Sequence, residues 1–383
     1  MGSLIDLSQR PERRVERAGG LRIAMIAPPW YDVPPRAYGG IEAMLADLVT
    51  GLTRRGHEVT LVGAGRSGVP GRFLRTYETA PSERIGEPLP EVLHVARARR
   101  LLAGTGADIV HDHSLAGPLT AAARAVPTVV TCHGSVAGEL ADYYRALGGD
   151  VSLVAISDAQ RRIAPDLNWA GTVHNALDVS TFPLRERKED WVLWLGRFNI
   201  DKGAHLAIDA ARAAGRRIVL AGKLTEAVEQ AYFDEYVRPR LGPDAEYVGE
   251  ADAARKRELL AAARCLLFPI LWEEPFGMVM IEAMACGTPV VALGRGSVPE
   301  VVAEGRTGLI CSDPGELPGA IERAGAIDPL ACRRHVERRF DLDVMARGYE
   351  RVYHRLLAQT AGRERRTGSD AGAKATAYSG QGA

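Results

Sequence analysis

The chain has 383 residues, of which 46% are hydrophobic and 25% charged, and its 48 Lys and Arg residues balance 48 Asp and Glu residues. This length and composition predict a globular protein of two or three domains. A formal net charge of zero gives no overall electrostatic attraction to nucleic acid, so we expect no nucleic-acid partner.

The ends of the chain and the cysteines bear on location. Residues 1–20 are too polar for a signal peptide and are predicted to form a flexible N-terminus. No uncharged apolar run reaches membrane-spanning length. The cysteines include no closely spaced pair typical of a metal knuckle or redox motif; they are Cys132, Cys265, Cys286, Cys311 and Cys332. Reduced, scattered thiols predict a cytoplasmic protein.

Apolar runs alternate with helical segments through the first half of the chain. The runs are LRIAMIA, HEVTLVG, ADIVHDH, PTVVTCHG and VSLVAIS. The segments between them, such as IEAMLADLVTGLTRRG, have helical period and length. This alternation predicts an α/β domain over residues 21–175, with a parallel sheet covered by helices on both faces.

Two glycine-rich stretches follow the first two predicted strands. Gly39 and Gly40 precede a helix, and a helix start without a side chain in front of it is either an anion site or a plain N-terminal turn. Residues 63–68 satisfy G-x-G-x-x-G, but Pro70 and Gly71 oppose the helix that a dinucleotide-binding fingerprint needs. We therefore interpret the match as accidental and the following stretch, VPGRFLRTYETAPSER, as an irregular loop.

Arg97, Arg99 and Arg100 form a local basic cluster in a helical segment. A solvated helix face is the ordinary interpretation of such a cluster. A membrane-surface patch is the alternative, so weak peripheral membrane contact stays open.

Histidines end two of the predicted strands. On the strand that contains His111 and His113, both histidines point to one side and Asp112 to the other. A metal site needs a third converging ligand and none lies nearby in sequence, so we predict no metal and expect one histidine to line a cleft. His133 follows PTVVTC and lies at the cleft edge, either as a structural hydrogen-bonding residue or as a functional one.

The alternation restarts after a linker at residues 175–190, which contains Pro183 and a charged run. A second domain of the same class is predicted over residues 176–339. Its strand candidates are WVLWLG, RRIVLAG, AEYVGE, ARCLLFPI, TPVVALG and TGLIC. Ligands of such sheets bind beyond the carboxyl ends of the strands, so two doubly wound domains facing each other predict a deep cleft. Residues 340–358 are predicted to form a helix and residues 361–383 a disordered tail.

The stretch GRFNIDKG follows the first strand of the second domain. It delivers Arg197 and Lys202 to the carboxyl edge of the sheet, where two fixed cations can neutralise a diphosphate. Solvated loop charges are the alternative interpretation.

The most informative stretch is EEPFGMVMIEAMACG, with Glu274 in a loop and Glu282 inside the helix that follows. A helix start offers free N–H groups to a phosphate or a sugar oxygen. Glu282 lies in an otherwise apolar helix, and a charge there must find a partner. Carboxylates at both positions can accept hydrogen bonds from hydroxyls, which is a chemistry for holding a phosphorylated sugar. A solvated loop and an exposed helix face are the alternatives.

GRFNIDKG followed by EEPFGMVMIEAMACGTPVV resembles the donor-binding domain of retaining glycosyltransferases with the GT-B fold, of the family 4 type. The stretches PPRAYGGIE, IVHDHS, TCHGS, VHNALDVSTF, VLAGK and PEVVAEGRTGLI are also similar to that family, and the resemblance spans roughly residues 21–355. The first domain most resembles transferases that glycosylate small natural products, such as the avilamycin-type antibiotic transferases.

The resemblance implies a role for each site residue. It implies that Arg197 and Lys202 bind the diphosphate, that Glu282 accepts from the ribose hydroxyls and that Glu274 contacts the transferred sugar. Three backbone N–H groups are implied to face the sugar and phosphates; they are those of Phe276, Gly277 and Met278. Residues implied for the rest of the cleft are Gly39 and Gly40 beneath the donor phosphates, His133 near the reacting carbon, and Tyr38, His113 and His133 toward the acceptor.

The implied activity is metal-independent transfer of a sugar from a nucleotide-diphosphate sugar to a hydroxyl of a small-molecule or glycan acceptor. The implied mechanism retains the anomeric configuration without a covalent enzyme intermediate. No cofactor is expected besides this co-substrate, which we expect to be UDP- or GDP-linked. A sugar-nucleotide epimerase, a phosphorylase of the same fold, a non-catalytic binding protein and a dehydrogenase are the alternatives.

Overall fold

The computed structural model describes residues 20–35 and 39–378, and it describes no side chains for residues 363–378. Predictions for residues 1–19 and for the final five residues of the tail lie outside the described residues. The acceptor-side candidate Tyr38 also lies outside them. Within the described ranges, no helix combines the length and the apolar character needed to cross a bilayer.

The first sheet has seven parallel strands. They are β1 (Arg22–Ile26), β2 (Glu58–Ala64), β3 (Arg72–Tyr77), β4 (Ile109–Asp112), β5 (Thr128–Cys132), β6 (Ser152–Ala155) and β7 (Trp169–Thr172). The helices of this domain are α1 (Gly40–Arg54), α2 (Pro88–Leu102), α3 (Glu139–Leu147) and α4 (Asp158–Ile163). The strand order is β3-β2-β1-β4-β5-β6-β7, so the winding reverses between β1 and β4.

Two strands of this sheet differ from the sequence prediction. β3 lies in the segment predicted as an irregular loop, and that prediction is wrong for Arg72–Tyr77. It is an edge strand that pairs only with β2, and only Thr76 of its residues is buried, so it lacks an apolar run. Because a strand follows Gly68, the helix required by a dinucleotide fingerprint is absent there. β7 is likewise short and half-buried throughout.

The second sheet has six parallel strands. They are β8 (Trp191–Leu195), β9 (Arg217–Ala221), β10 (Ala245–Tyr247), β11 (Leu266–Phe268), β12 (Val290–Leu293) and β13 (Gly308–Cys311). The helices are α5 (Ala204–Ala213), α6 (Ala227–Tyr232), α7 (Ala253–Ala262), α8 (Met278–Ala285), α9 (Val298–Val301), α10 (Leu317–Ala324) and α11 (Pro329–Arg339). The order β10-β9-β8-β11-β12-β13 reverses between β8 and β11, and the predicted doubly wound class is confirmed.

The last helix, α12 (Leu342–Tyr378), returns to the first domain and packs on α1. Its side chains join the core that β1 and α1 form; they are Met345, Ala346, Tyr349, Val352, Tyr353 and Leu356. The helix extends beyond the predicted end at residue 358, so residues 361–378 are helical where composition predicted disorder. This stretch contains several Ala residues and no Pro, and Ala has the highest helix propensity.

Glu300 on α9 joins the second domain to the first. Its carboxylate accepts hydrogen bonds from the backbone N–H groups of Asp158 (2.8 Å) and Ala159 (2.6 Å) at the start of α4. His174, just after β7, lies 3.1 Å from the same carboxylate through Nε2. One acidic side chain thus contacts two separate segments of the opposite domain.

Candidate active site

The residues that follow β8 and β9 come very close together at the carboxyl edge of the second sheet. A Cβ atom on Gly222 would lie 1.8 Å from the carbonyl oxygen of Gly196, so this approach needs glycine at position 222. Each glycine is followed by a cation, Arg197 or Lys223. This edge includes the point where the winding of the sheet reverses, and such switch points are the usual ligand sites of doubly wound domains.

A cavity of about 500 Å³ lies between the two domains at this edge. One wall belongs to the first domain and includes α1, and the other is formed by residues after β8 and β9 with parts of α7 and α8. The predicted site residues that line it are Gly39, Gly40, Arg197, Met278 and Glu282. The predicted residues that do not line it are Lys202, Glu274, Phe276, Gly277, His113 and His133. The structure therefore gathers part of the predicted set in one cavity.

Lys202 and Glu274 form an ion pair at the edge of the second sheet. Lys202 closes the turn Ile200–Lys202 after β8, and its Nζ lies 2.5 Å from Oε2 of Glu274. The same oxygen accepts a hydrogen bond of 3.1 Å from the indole nitrogen of Trp272, and Lys202 Nζ lies 4.9 Å from the centre of that ring. Glu274 is 9% exposed, so its carboxylate is held by two donors in a nearly buried position.

Glu282 has a cationic partner from the neighbouring helix α7. Lys256 Nζ lies 2.6 Å from Glu282 Oε1, and both side chains line the cavity. The Glu282 side chain is 12% exposed. The partner that a carboxylate in an apolar helix requires is therefore Lys256, and the alternative of an exposed helix face for Glu282 is wrong.

Arg197 belongs to a looser group of charges. Its guanidinium lies 3.8 Å from Oε1 of Glu226, and the Lys223 ammonium donates to the same oxygen at 3.0 Å. The Arg197 side chain is about two-fifths exposed, which is more than the Lys202 side chain. Two cations, Arg197 and Lys223, thus face the cavity from adjacent strand ends.

Two helices begin at glycines beside the cavity. α8 begins after Gly277, which has a φ of 75°, and α1 begins after Gly39, which has a φ of 142°. No side chain caps either helix start by a hydrogen bond. Glu42 lies in the first turn of α1, where burial raises its pKa to about 7. A partly protonated carboxyl opposes an anion at this helix start less than an ionised one.

The loop that precedes α8 is fixed by the segment after β12. Ser297 donates its backbone N–H to the carbonyl of Glu274 (2.9 Å) and its hydroxyl to the carbonyl of Phe276 (2.8 Å). The Phe276 side chain is buried and packs near Phe340 and His174, so only its backbone can serve a ligand. Gly296 approaches so closely that a Cβ atom there would lie 2.3 Å from the Glu274 oxygen.

His111, His113 and His133 of the first domain form a largely buried cluster. His113 Nδ1 and His133 Nε2 are 2.9 Å apart, and the rings of His111 and His113 lie 4.0 Å apart. His111 bonds to the hydroxyls of Thr131 and Tyr353, each at 2.7 Å. Burial lowers the pKa of all three histidines, that of His133 to about 4, so they are neutral at pH 7.

The prediction that His111 and His113 point to one side of their strand, β4, and Asp112 to the other is confirmed. Asp112 points away from the two histidines and pairs with Arg124 at 3.1 Å. A direct hydrogen bond between His113 and His133 leaves no space for a metal between them. Within the described ranges, no three His, Cys, Asp or Glu side chains are arranged to hold a metal ion.

Sequence reasoning missed three cations that line the cavity, which are Lys223, Lys256 and Arg257. Lys223 could have been found, because Gly222-Lys223 after β9 repeats the pattern Gly196-Arg197 after β8. Lys256 carries no such signal, since nothing in the pattern of α7 indicates that this position reaches Glu282.

Comparison with known proteins finds a glycosyltransferase family model that matches each half of the chain. A family model described as "Glycosyl transferases group 1" matches residues 189–325, and one described as "Glycosyltransferase Family 4" matches residues 38–165. The chain is 29% identical to a phosphatidyl-myo-inositol mannosyltransferase of Mycolicibacterium smegmatis, covering 87% of this chain and 93% of that protein. It is 26% identical to a glycogen synthase of Mycobacterium tuberculosis, covering 82% and 88%.

The chain is also similar in structure to a glycosyltransferase whose structure has been solved. The crystal structure of AviGT4, a glycosyltransferase involved in avilamycin A biosynthesis, aligns with a TM-score of 0.69 and 28% identity. The alignment covers 88% of this chain and 98% of that one.

Proposed function

The chain is a nucleotide-sugar-dependent glycosyltransferase of the group 1 and family 4 type with a GT-B fold, and we propose that it is a retaining, metal-independent hexosyltransferase. The donor in this proposal is a UDP- or GDP-linked sugar, and the acceptor is a hydroxyl of a small molecule or glycan. The observation that supports it most is the interdomain cavity, where two cations at strand ends, two bare helix starts and the Glu282–Lys256 pair lie together.

The diphosphate is held where positive charge is concentrated. Arg197 and Lys223 face the cavity from adjacent strand ends, and the starts of α1 and α8 add free backbone N–H groups. Charge builds up on the diphosphate as the bond to the sugar breaks. Cations and dipoles that are already in position stabilise that charge without reorganising.

The ribose binds at Glu282. One carboxylate oxygen, Oε1, pairs with Lys256, which leaves Oε2 to accept from ribose hydroxyls. Lys256 fixes the orientation of the carboxylate and balances its charge in a nearly buried position. Binding of the nucleotide at this point aligns the diphosphate with the two helix starts.

The transferred sugar lies toward Glu274. This carboxylate is held by Lys202 and Trp272, outside the cavity that Glu282 lines. Its free lone pairs can accept from sugar hydroxyls, and Lys202 adds positive charge beside the departing diphosphate. In this proposal His133 lies near the reacting carbon, and its neutral imidazole is held by His113. His113 and Tyr38 are proposed to face the acceptor.

The chemistry follows from positioning. The acceptor hydroxyl attacks the anomeric carbon on the face from which the diphosphate leaves, and a departing phosphate oxygen takes the hydroxyl proton. The anomeric configuration is therefore retained, and no covalent bond to the enzyme forms. The protein contributes orientation and electrostatic stabilisation, which can account for large rate accelerations. We place the enzyme in the cytoplasm because its five cysteines are buried and unpaired.

The test is a panel of nucleotide sugars and their nucleoside diphosphates, measured by thermal shift and by release of nucleoside diphosphate with candidate acceptors. We expect a UDP or GDP compound to raise the melting temperature, and the unphosphorylated nucleoside to leave it unchanged. The Arg197→Ala/Lys202→Ala variant should lose this shift. The Arg334→Ala/Arg338→Ala variant, altered at two exposed positions of α11, is the matched control.

The products distinguish the proposal from its alternatives. Proton NMR should show the donor's anomeric configuration in the product, and an inverted configuration would overturn the retaining mechanism. Conversion of the nucleotide sugar without any acceptor would indicate an epimerase. A requirement for inorganic phosphate would indicate a phosphorylase.

A further inference from the structure

The helix α2 turns its apolar side chains toward solvent. Leu89, Val92, Leu93 and Ala96 follow one another at helical spacing and are all exposed, Leu89 by 63%. The opposite face is buried although it contains Glu91 and His94. This pattern is the reverse of an ordinary surface helix, which buries its apolar stripe.

Glu91 and His94, the polar residues of the buried face, each form hydrogen bonds to specific partners, although Nε2 of His94 has none in the described part of the chain. Glu91 accepts from the backbone N–H groups of Leu115 (2.8 Å) and Ala116 (3.2 Å), and His94 bonds to the hydroxyl of Thr76 at 2.7 Å. These bonds fix the rotation of α2, so its apolar stripe cannot turn inward. The stripe is therefore a built feature of the surface.

Neighbouring segments extend the apolar surface. Ile85 precedes α2, and Leu115 and Leu119 belong to the segment that Glu91 binds. Leu119, in the turn Gly117–Ala123 that packs on α2, is 65% exposed. We call this surface the α2 patch; its apolar members are Ile85, Leu89, Val92, Leu93, Leu115 and Leu119. Exposed apolar clusters of this kind mark interaction sites.

The charges at the end of the stripe indicate the partner. Arg97, Arg99 and Arg100 lie in the last part of α2, and Arg99 and Arg100 continue the exposed stripe itself. Neither Arg99 nor Arg100 forms an ion pair with the described part of the chain. At the other end Glu83 is exposed, and Glu87 is paired with Arg84 at 2.7 Å.

We propose that the α2 patch docks on a lipid surface that contains anionic headgroups. Leucines and valine on the exposed helix face enter the boundary between headgroups and acyl chains, and Arg99 and Arg100 bind the headgroups. The patch adjoins the proposed acceptor side, since Leu115 follows His113 by two residues. Docking would hold that side of the cleft at the membrane surface; this last consequence rests on the proposed function, whereas lipid binding does not.

The experiment is co-sedimentation of the full chain with vesicles of phosphatidylcholine alone and of phosphatidylcholine mixed with phosphatidylglycerol. We expect binding to the anionic vesicles that weakens with salt, and much less binding to the neutral ones. The Leu89→Ser/Val92→Ser/Leu93→Ser variant should lose binding. In the Arg99→Ala/Arg100→Ala variant, each lost charge should weaken partition about fivefold.

Matched controls alter exposed residues elsewhere: Val228→Ser on α6 for the apolar change, and Arg334→Ala/Arg338→Ala for the charge change. Both should bind vesicles as the unaltered protein does. Absence of binding to anionic vesicles would overturn the proposal. Equal binding by the serine variant would do so too. A dimer that the serine substitutions dissociate, without vesicle binding, would identify a second copy as the occupant instead. Thermal shift with a nucleoside diphosphate tests the proposed function separately.

Discussion

Lys256 and Glu282 are joined by an ion pair of 2.6 Å across two helices of the second domain, on the wall of the interdomain cavity. The Glu282 carboxylate is nearly buried, so removal of its cation leaves it without compensation. We expect Lys256→Met, which keeps the length but not the charge, to weaken nucleoside diphosphate binding at least tenfold, since a charged hydrogen bond contributes about 1.5–3 kcal/mol. Lys256→Arg should bind nearly normally. Calorimetry on both variants checks this, and equal affinity of the Met variant and the unaltered protein would contradict it.

The two glutamates should have separable effects. Glu282→Ala removes the acceptor proposed for the ribose and should weaken binding of the nucleoside diphosphate itself, by about 1.5–3 kcal/mol per lost charged hydrogen bond. Glu274→Ala should leave that binding nearly intact and sharply lower turnover with the complete donor. Calorimetry with the diphosphate and with the sugar-bearing donor measures the difference. Equal losses of diphosphate affinity would refute this division of roles.

Catalysis should not depend on a divalent cation. The proposed diphosphate site supplies its own positive charge through Arg197, Lys202 and Lys223, so a metal is not needed for neutralisation. We expect turnover with the identified donor to be unchanged after dialysis against EDTA. Loss of activity that magnesium or manganese restores would contradict the prediction.

Acid should destabilise the protein through His133. Burial lowers its folded-state pKa to about 4, whereas its ordinary value is 6.5. Between these two pH values the unfolded chain therefore binds more protons than the folded chain. The free energy of unfolding is thus unaffected by this group above pH 6.5 and decreases as the pH falls below it. Between pH 7 and pH 5 the loss should be about 2 kcal/mol. Denaturant unfolding of His133→Gln should show a smaller pH dependence, with the exposed His354→Gln variant as control.

The contact of Glu300 with the first domain should limit opening of the cleft. Glu300→Ala removes the acceptor for the N–H groups of Asp158 and Ala159, so the free protein should adopt a larger average radius of gyration. Binding of donor should compact the unaltered protein. Small-angle scattering with and without donor measures both effects, and Glu337→Ala, at an exposed position of α11, is the control. Identical profiles for all samples would argue against domain closure.

Sequence reasoning was most successful where the signal was local. Eleven of the thirteen strands coincide with the strand candidates, and most of these are apolar runs, because buried parallel strands are nearly continuous in Val, Ile and Leu. β3 and β7 escaped because they lie at the two edges of the first sheet, where one side remains open and the apolar run is lost. That Arg197 and Glu282 line the same cavity could be predicted, because Arg197 follows β8 and Glu282 lies within α8 at the same edge of the sheet.

Partners across the fold could not be predicted in the same way. The bond between Lys256 and Glu282 depends on the packing of α7 against α8, and that between His113 and His133 depends on the pairing of β4 with β5. Neither pair of residues is separated by a regular helical or strand spacing that the sequence would reveal. The resemblance implied that His113 and His133 lie on the same side of the cleft, but their direct hydrogen bond was not predicted, because the two residues are 20 positions apart in the chain.

The return of α12 to the first domain affects how the protein is made. Tyr349 and Tyr353 of α12 form hydrogen bonds to Thr131 and His111, respectively, in the core of the first domain. The last strand of that domain ends at residue 172. On the ribosome, all strands of the first sheet emerge long before these tyrosines exist. The N-terminal half must therefore wait, with an apolar surface uncovered, until the whole second domain has been synthesised. A stop codon just before residue 342 should therefore prevent correct folding of the first domain, although all of its strands have been made, since that domain would lack part of its own interior.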